Sequence, residues 1–476
     1  MEKRAVVWFR NDLRLHDNEA LVEAIATGAE IVPVYVFDER IFSGFDRFGF
    51  EKASKFRTRF IIQAIHQLRE SIRERGAELI IRVGKPEKEI FDIAREVRAS
   101  WVFCNRERTT EEQQVQDALE KQLWTVGQEI RYTRGKMLYY TADLPFPITQ
   151  APEIFTQFRK EVEDIVPVRF PLDTPENIPM SKVVPYSVDI PELKTFGKDD
   201  QFDQSHIENH RFQGGEKAGL EQLKYYLHDT GLLHRYFDTR NNMLGWEFSS
   251  KLSAWLSTGC VSPKKVFHEI KRFEKDFGKS KSSYWLFFEL LWRDFFRLMG
   301  KKHGDSIFRQ SGIKGKVQPC SDNPEAFQTW MNGTTGVPLI DANMRQLKET
   351  GFMSNRGRQI VASFLVNDLQ VNWLLGAAYM ESMLIDYDPC SHYGNWNYIA
   401  GVGSDPREDR YFNPVTQAKK YDPDGDFVKY WIPELQHIPA PYLHQPYLMN
   451  EQLQKEYKIV LGRDYPFADM SRVLSA

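Results

Sequence analysis

The stretch 341–398 reads DANMRQLKETGFMSNRGRQIVASFLVNDLQVNWLLGAAYMESMLIDYDPCSHYGNWNY. Four features crowd into it: a helix start rich in amides and cations, a buried-looking helical run, the close carboxylates Asp386 and Asp388, and an aromatic loop over 390–398. Ser354 is a candidate N-cap for a helix over 354–369, because its hydroxyl can accept from the free N–H groups of a first turn. Asn355, Arg358 and Gln359 then share one face, with Val361, Phe364 and Leu365 on the buried one. A solvated polar face accounts for that helix taken alone. Asp386 and Asp388 are candidate partners of Arg358. The loop holds His392, Tyr393, Trp396 and Tyr398, which with Trp373 form either an aromatic chain or ordinary core.

Outward from this stretch, everything beyond residue 214 is patterned for helices: 218–228, 249–258, 263–277, 283–299, 324–332 and 341–350 all place apolar residues at 3–4-residue spacing. The first 135 residues differ. Short apolar runs at 5–10, 31–38, 77–83 and 101–105 alternate with helical patterns at 18–27, 51–75, 86–97 and 111–124. Such alternation points to a doubly wound parallel sheet, although no GxGxxG follows the first strand. Between 167 and 191 stand six prolines, which remove backbone donors and break helices. The expected organisation is an α/β domain over 1–135, a connector over 136–213 that is no domain core, and an all-helical domain over 214–476.

The chain has 476 residues, 42% hydrophobic and 27% charged, as ordinary globular proteins do. Its net charge of −3 excludes a global basic footprint, so any nucleic-acid contact must be local. The cysteines are Cys104, Cys260, Cys320 and Cys390, with no CxxC spacing, so no zinc or iron–sulfur motif is readable. No signal-like leader and no 18-residue apolar run occurs, which points to a cytoplasmic, membrane-free protein, a monomer by default.

Two further stretches can carry chemistry. In SYWLFFELLWRDFFRLM (283–299), Glu289, Trp292, Arg293 and Phe296 share a face. They form either a Glu–Arg i,i+4 pair on an otherwise buried helix, worth about 0.3–0.5 kcal/mol, or a carboxylate and an indole set in a pocket. SSKLS at 249–253 offers hydroxyls and a lysine either to phosphate oxygens or, more plainly, as N-caps from Ser249 or Ser250. HExxH, GxSxG and Walker patterns are missing.

The motifs WFRNDLRLHDNEAL (8–21), SSKLSAWLSTGCVSP (249–263), FFELLWRDFF (287–296) and the opening stretch together resemble the photolyase/cryptochrome family, in the family's order and over nearly the whole chain. DLPFPITQAPEIFTQFRKEVE (143–163), TRNNMLG (239–245) and GFMSNRGRQ (351–359) are similar to its cryptochrome DASH branch. The resemblance implies a Rossmann-like antenna domain and a helical domain that binds FAD. It places Tyr236, Ser249, Ser250, Lys251, Leu252 and Ser253 at the phosphates and ribose, and Glu289, Arg293, Asn355, Arg358, Asp386, Asp388 and His392 around the flavin. It implies blue-light repair of cyclobutane pyrimidine dimers in single-stranded DNA, with Glu289, Trp292, Asn355, Gln359 and Tyr398 at the lesion and Arg240 and Arg356 on DNA. The alternative is a photoreceptor that binds DNA or protein partners without significant repair. The implied antenna is 5,10-methenyltetrahydrofolate, with Glu107, Glu111 or Glu112 as its contact.

Two residues depart from the family pattern. His392 stands where Asn usually faces the flavin, and an imidazole there is expected to titrate near neutral pH. In the electron-transfer chain Trp396 and Trp373 match the inner two tryptophans, but Cys320 falls at the third position. Photoreduction then ends at Trp373 or leaves through a tyrosine or another tryptophan such as Trp330.

Overall fold

The computed structural model describes residues 3–321, 323–404 and 410–467. Five parallel strands, β1 (Arg4–Phe9), β2 (Glu30–Asp38), β3 (Ile80–Gly84), β4 (Trp101–Asn105) and β5 (Glu129–Thr133), lie in the order β3-β2-β1-β4-β5. The order reverses at β1, so the crevice beyond the carboxyl ends of β1 and β4 is the place where such sheets accept ligands. The sequence pattern missed β5. This edge strand, EIRYT, is half exposed and carries two charges, so it never shows a continuous apolar run.

Four helices flank the sheet: α1 (Glu19–Ala26), α2 (Lys55–Arg73), α3 (Pro86–Glu96) and α4 (Thr110–Thr125). Side-chain alternation sends Val6, Trp8, Val34 and Val102 to the face covered by α3 and α4, where Ile90 and Leu119 meet them. Ala5, Val7 and Phe9 face the other way, onto Leu21 of α1 and Phe60 of α2.

That second core does not stop at the sheet. It runs through Phe155, Phe158 and Phe212 of segment 136–213 into Trp255, Leu291 and Phe295 of the helical half. The proline-rich stretch is thus tied to the core, contrary to its reading as a connector only. Ile31 donates its N–H to the Pro179 carbonyl at 2.7 Å and accepts from Ser181 N–H at 3.0 Å. Proline lacks a donor but keeps its carbonyl, and a strand edge can use that.

The helical half contains α5 (Pro263–Phe277), α6 (Lys281–His303), α7 (Pro338–Thr350), α8 (Asn355–Ser363), α9 (Trp373–Met383) and α10 (Pro389–Ile399). Three details differ from the sequence pattern. The helix expected at 249–258 begins only at Ser253, because Lys251 adopts φ +57°, so Ser249 and Ser250 are not its caps. The helix expected over 354–369 is α8 followed by a wider π turn at Phe364–Asp368. The aromatic segment 390–398 is a helix and not a loop. Asp388 caps it by accepting from Ser391 N–H at 2.8 Å, and Pro389 occupies its first turn. Gly394 lets α10 lie on α6, since a Cβ there would sit 2.3 Å from the Phe296 ring.

Among the described residues no helix is long and apolar enough to cross a membrane, and no group of three His, Cys, Asp or Glu could hold a metal ion.

Candidate functional site

Helices α8, α9 and α10 surround a cavity lined by Asn355, Arg358, Gln359, Asp386, His392 and Trp396 among others. Arg358 donates through Nη2 to both oxygens of Asp386, at 2.9 and 2.8 Å, and through Nε to the Met353 carbonyl at 3.0 Å. Asp386 is buried, and a buried carboxylate needs such a partner.

Asp388 does two things. One oxygen caps α10, and the other accepts from Arg297 at 3.2 Å. Arg297 also reaches Glu107 at 3.3 Å, and Glu107 pairs in turn with Lys136. Charges therefore alternate along a buried ladder, Lys136–Glu107–Arg297–Asp388, from the crest of the sheet to the cavity. Burial would raise the Glu107 carboxyl, but the cations Lys136, Arg297 and Arg10 hold it down at about 2. Burial also pushes Asp388 upward, and Arg297 and Arg293 overcome it, so its carboxyl lies below the usual range.

His392 is buried, and its Nε2 donates to the Ala377 carbonyl at 2.9 Å. Burial lowers its pKa to about 4, so the ring is neutral at pH 7. Titration near neutrality, expected from its residue type, is thereby corrected.

Among the described residues, the buried polar atoms at this end of the molecule that lack a protein partner include Gln359 Oε1 and Lys251 Nζ. The Lys251 ammonium lies 3.4 Å from the ring centroid of Phe248 and 4.3 Å from that of Phe352, and burial pushes it down to about 7. It is near enough to feel the charges of Arg358 and Asp386. Unsatisfied buried groups of this kind are rare and need an explanation, of which a ligand is one.

Glu289 does not pair with Arg293. Its half-buried carboxylate is held by Arg240, and Tyr236 lies close to both. Arg293 instead donates to the carbonyls of Lys136 (2.7 Å) and Leu256 (3.2 Å), which gives it a structural task. Trp292 stacks on Phe155, with centroids 3.7 Å apart and planes at 6°, and Tyr398 meets it edge-on at 5.7 Å. Arg356 donates to Asn241 Oδ1 at 3.0 Å, beside Arg240 in the chain.

Trp373 Nε1 donates to the Gln310 carbonyl at 3.0 Å, and the Gln310 amide reaches Cys320 Sγ at 3.1 Å. Cys320 is exposed, one residue outward from Trp373. Trp330 is fully buried and donates to the Val361 carbonyl, which removes it as an outlet to solvent. Of the three carboxylates near 110, Glu107 is committed to the ladder, Glu111 is exposed on Lys52, and Glu112 completes a capping box with Thr109.

Sequence reasoning overlooked Lys136, Asp294 and Arg297. Buried Asp294 accepts the N–H groups of Leu138 (3.0 Å) and Tyr139 (2.9 Å) and so fastens segment 136–213 to α6. The available signal was the presence of Asp294 and Arg297 inside an otherwise apolar run.

Two family models match the chain: DNA photolyase over residues 5–177, and the FAD binding domain of DNA photolyase over 285–471. The cryptochrome DASH of Gloeobacter violaceus is 44% identical over 98% of this chain and 92% of its own length. That of a Synechocystis species is 43% identical over 97% and 94%. The chain belongs to the photolyase/cryptochrome family, in its cryptochrome DASH branch. Among solved structures of this family, a Synechocystis cryptochrome matches with a TM-score of 0.96 at 42% identity, covering 100% of this chain and 98% of its own. A class III photolyase from Agrobacterium tumefaciens matches at 0.85 and 28% identity, covering 100% and 96%. An archaeal photolyase from Sulfolobus tokodaii, described with two FAD molecules, matches at 0.79 and 27%, covering 99% and 98%.

Proposed function

We propose that this DASH-branch protein is a blue-light-dependent FAD flavoprotein that reverses cyclobutane pyrimidine dimers in single-stranded DNA. The observation that carries the reading is the cavity between α8, α9 and α10. It combines the Arg358–Asp386 pair with buried polar atoms, on Gln359 and nearby Lys251, that no protein group satisfies. The donor set fits a dinucleotide: Tyr236, Ser249, Ser250, Lys251, Leu252 and Ser253 for phosphates and ribose, and Asn355, Arg358, Asp386, Asp388 and His392 around the ring system. FAD, when bound, supplies the light-driven one-electron chemistry.

The chain's own residues orient and bind. Arg358, fixed by Asp386, sets a cation at the ring system without leaving it unpaired. His392 is neutral and donates through Nε2, so its Nδ1 is an acceptor. Burial raises the Glu289 carboxyl against the pull of Arg240, and this carboxyl is the hydrogen-bonding group at the lesion. Gln359 and Tyr398 offer an amide and a phenol at the lesion, and so less apolar contact for an extruded pyrimidine dimer. A lesion in a single strand costs less to present and suits such a site. With a net charge of −3, DNA contact rests on Arg240 and Arg356. The proposed antenna is 5,10-methenyltetrahydrofolate, with Glu107, Glu111 or Glu112 as its carboxylate contact.

The test is illumination of flavin-loaded, reduced protein with dimer-containing single-stranded and duplex oligonucleotides. Loss of the dimer is expected on the single strand, slower on the duplex, and slower again in Glu289→Gln. A second reading, a photoreceptor without significant repair, is favoured by Arg240 occupying Glu289 and Phe155 covering one face of Trp292. Flavin that responds to light while both oligonucleotides stay damaged would select it.

A further inference from the structure

We propose that Tyr393, with Glu381 as its proton acceptor, is the terminal electron donor of the aromatic chain that starts at Trp396. This rests on the flavin reading above and gives that site an outlet at the position where Cys320 replaces an indole.

The ring contacts define the path. Trp396 lies 6.4 Å from His392, His392 lies 5.3 Å from Tyr393, and Trp373 lies 6.3 Å from Tyr393 between centroids. Both tryptophans thus converge on one phenol. Beyond Trp373 stand the Gln310 amide and the Cys320 thiol, neither of them an aromatic donor.

A phenol refills an indole hole readily only if its proton leaves with the electron, because an oxidised phenol is a strong acid. Tyr393 has a place for that proton: its hydroxyl donates to Glu381 Oε2 at 3.0 Å. Tyr387, edge-on to His392 at 5.3 Å, lies near the same carboxylate, and the charges of Arg57 and Lys52 face it. Burial raises the Glu381 pKa, which makes its carboxylate a better base for the phenol. Tyr393 is itself half-buried, packed edge-on against Phe308 at 4.6 Å.

The step balances as one electron and one proton. The first electron leaves Trp396 for a photoexcited oxidised flavin, which is the oxidant. The resulting indole cation radical, on Trp396 or Trp373, takes an electron from Tyr393. The Tyr393 O–H bond breaks, its proton forms a new O–H bond on Glu381, and the products are a neutral indole, a neutral phenoxyl radical and a carboxylic acid.

The experiment is time-resolved absorption and electron paramagnetic resonance on the flavin-loaded full chain under blue light. A neutral phenoxyl signal is expected in the parent, forming severalfold more slowly in D2O. Tyr393→Phe should lose it, accumulate an indole radical and photoreduce flavin severalfold less. Glu381→Gln should retain flavin yet slow phenoxyl formation severalfold. Undiminished photoreduction with no phenoxyl signal in the parent, or a phenoxyl signal persisting in Tyr393→Phe, would overturn the assignment. The D2O comparison needs no substitution, so misfolding of a variant cannot obscure the result. If Trp396→Phe photoreduces flavin like the parent, Trp396 is not the first donor and this proposal fails, whereas absence of flavin from the purified parent would overturn the flavin reading itself.

Discussion

His392 lines the cavity, and its environment, rather than its residue type, decides whether it carries charge. Its pKa falls from 6.5 to about 4 because the ring is buried. The difference, 6.5 − 4 = 2.5 pH units, corresponds to about 3 kcal/mol at roughly 1.4 kcal/mol per unit. The sign follows from proton binding. Between pH 6.5 and 4 the unfolded chain protonates this ring and the folded chain does not, so this group lowers stability as pH falls through that window and adds nothing further below about 4. His392→Asn removes the titration and also the bond to the Ala377 carbonyl. The variant is therefore less stable than the parent at neutral pH, and that gap should shrink by about 3 kcal/mol on acidification to about pH 4. Urea unfolding of both proteins across the range measures the gap, and ring NMR shifts of His392 report its charge directly. A ring that titrates near 6.5, with a gap independent of pH, would refute the argument from burial.

Lys251→Met removes a buried, unpartnered ammonium. The ligand-free protein should gain about 1 kcal/mol or more in denaturant unfolding, while flavin retention in equilibrium dialysis falls about tenfold or more. Glu107→Gln removes the direct anionic partner of Lys136 and one of the two of Arg297; a loss of about 3–5 kcal/mol is expected by the same unfolding assay, and a loss below 1 kcal/mol would mean the ladder is not continuous. Gly376→Ala places a Cβ 2.3 Å from Leu365 and 2.6 Å from Trp396, so about 1–3 kcal/mol of overpacking should appear, together with altered Trp396 emission.

Much of the fold was legible because it is carried by periodicity. The four apolar strands and the long amphipathic α2 each signal themselves in their own stretch of chain. Strand β5 did not, since an edge strand has one wet side and little apolar sequence. Helix α10 did not either. Its run PCSHYGNWNYI contains residues of poor intrinsic helix propensity, and its helicity depends on the Asp388 cap and on Gly394 meeting Phe296, neither visible without the partner helix. The same limit governed the site. Arg358 and Asp386 stand 28 residues apart and were paired by type. The Glu289–Arg293 pairing, read from helical spacing, lost to Arg240, because spacing states which residues can meet and not which competing partner is nearer. His392 was misjudged for a related reason: a free imidazole titrates near neutrality, and only burial, a property of the packed structure, moves it.

Helix α6 shows why site and core cannot be separated in this chain. Residues 289, 293 and 297 follow one another at four-residue spacing along its surface, and each is bound to a different part of the molecule. Glu289 holds Arg240 at the proposed lesion end. Arg293 holds the carbonyls of Lys136 and Leu256, one from the segment after the sheet and one from the helical half. Arg297 holds Glu107, just past the carboxyl end of β4, and Asp388, the cap of α10. An ordinary helix stripe of this kind would be solvated or apolar. Here it is charged and largely inward, and buried charge is tolerated only when partners from several elements meet it at once. The stripe therefore requires the sheet, segment 136–213 and α10 to be in place together. That requirement explains why one continuous core spans the α/β and helical halves.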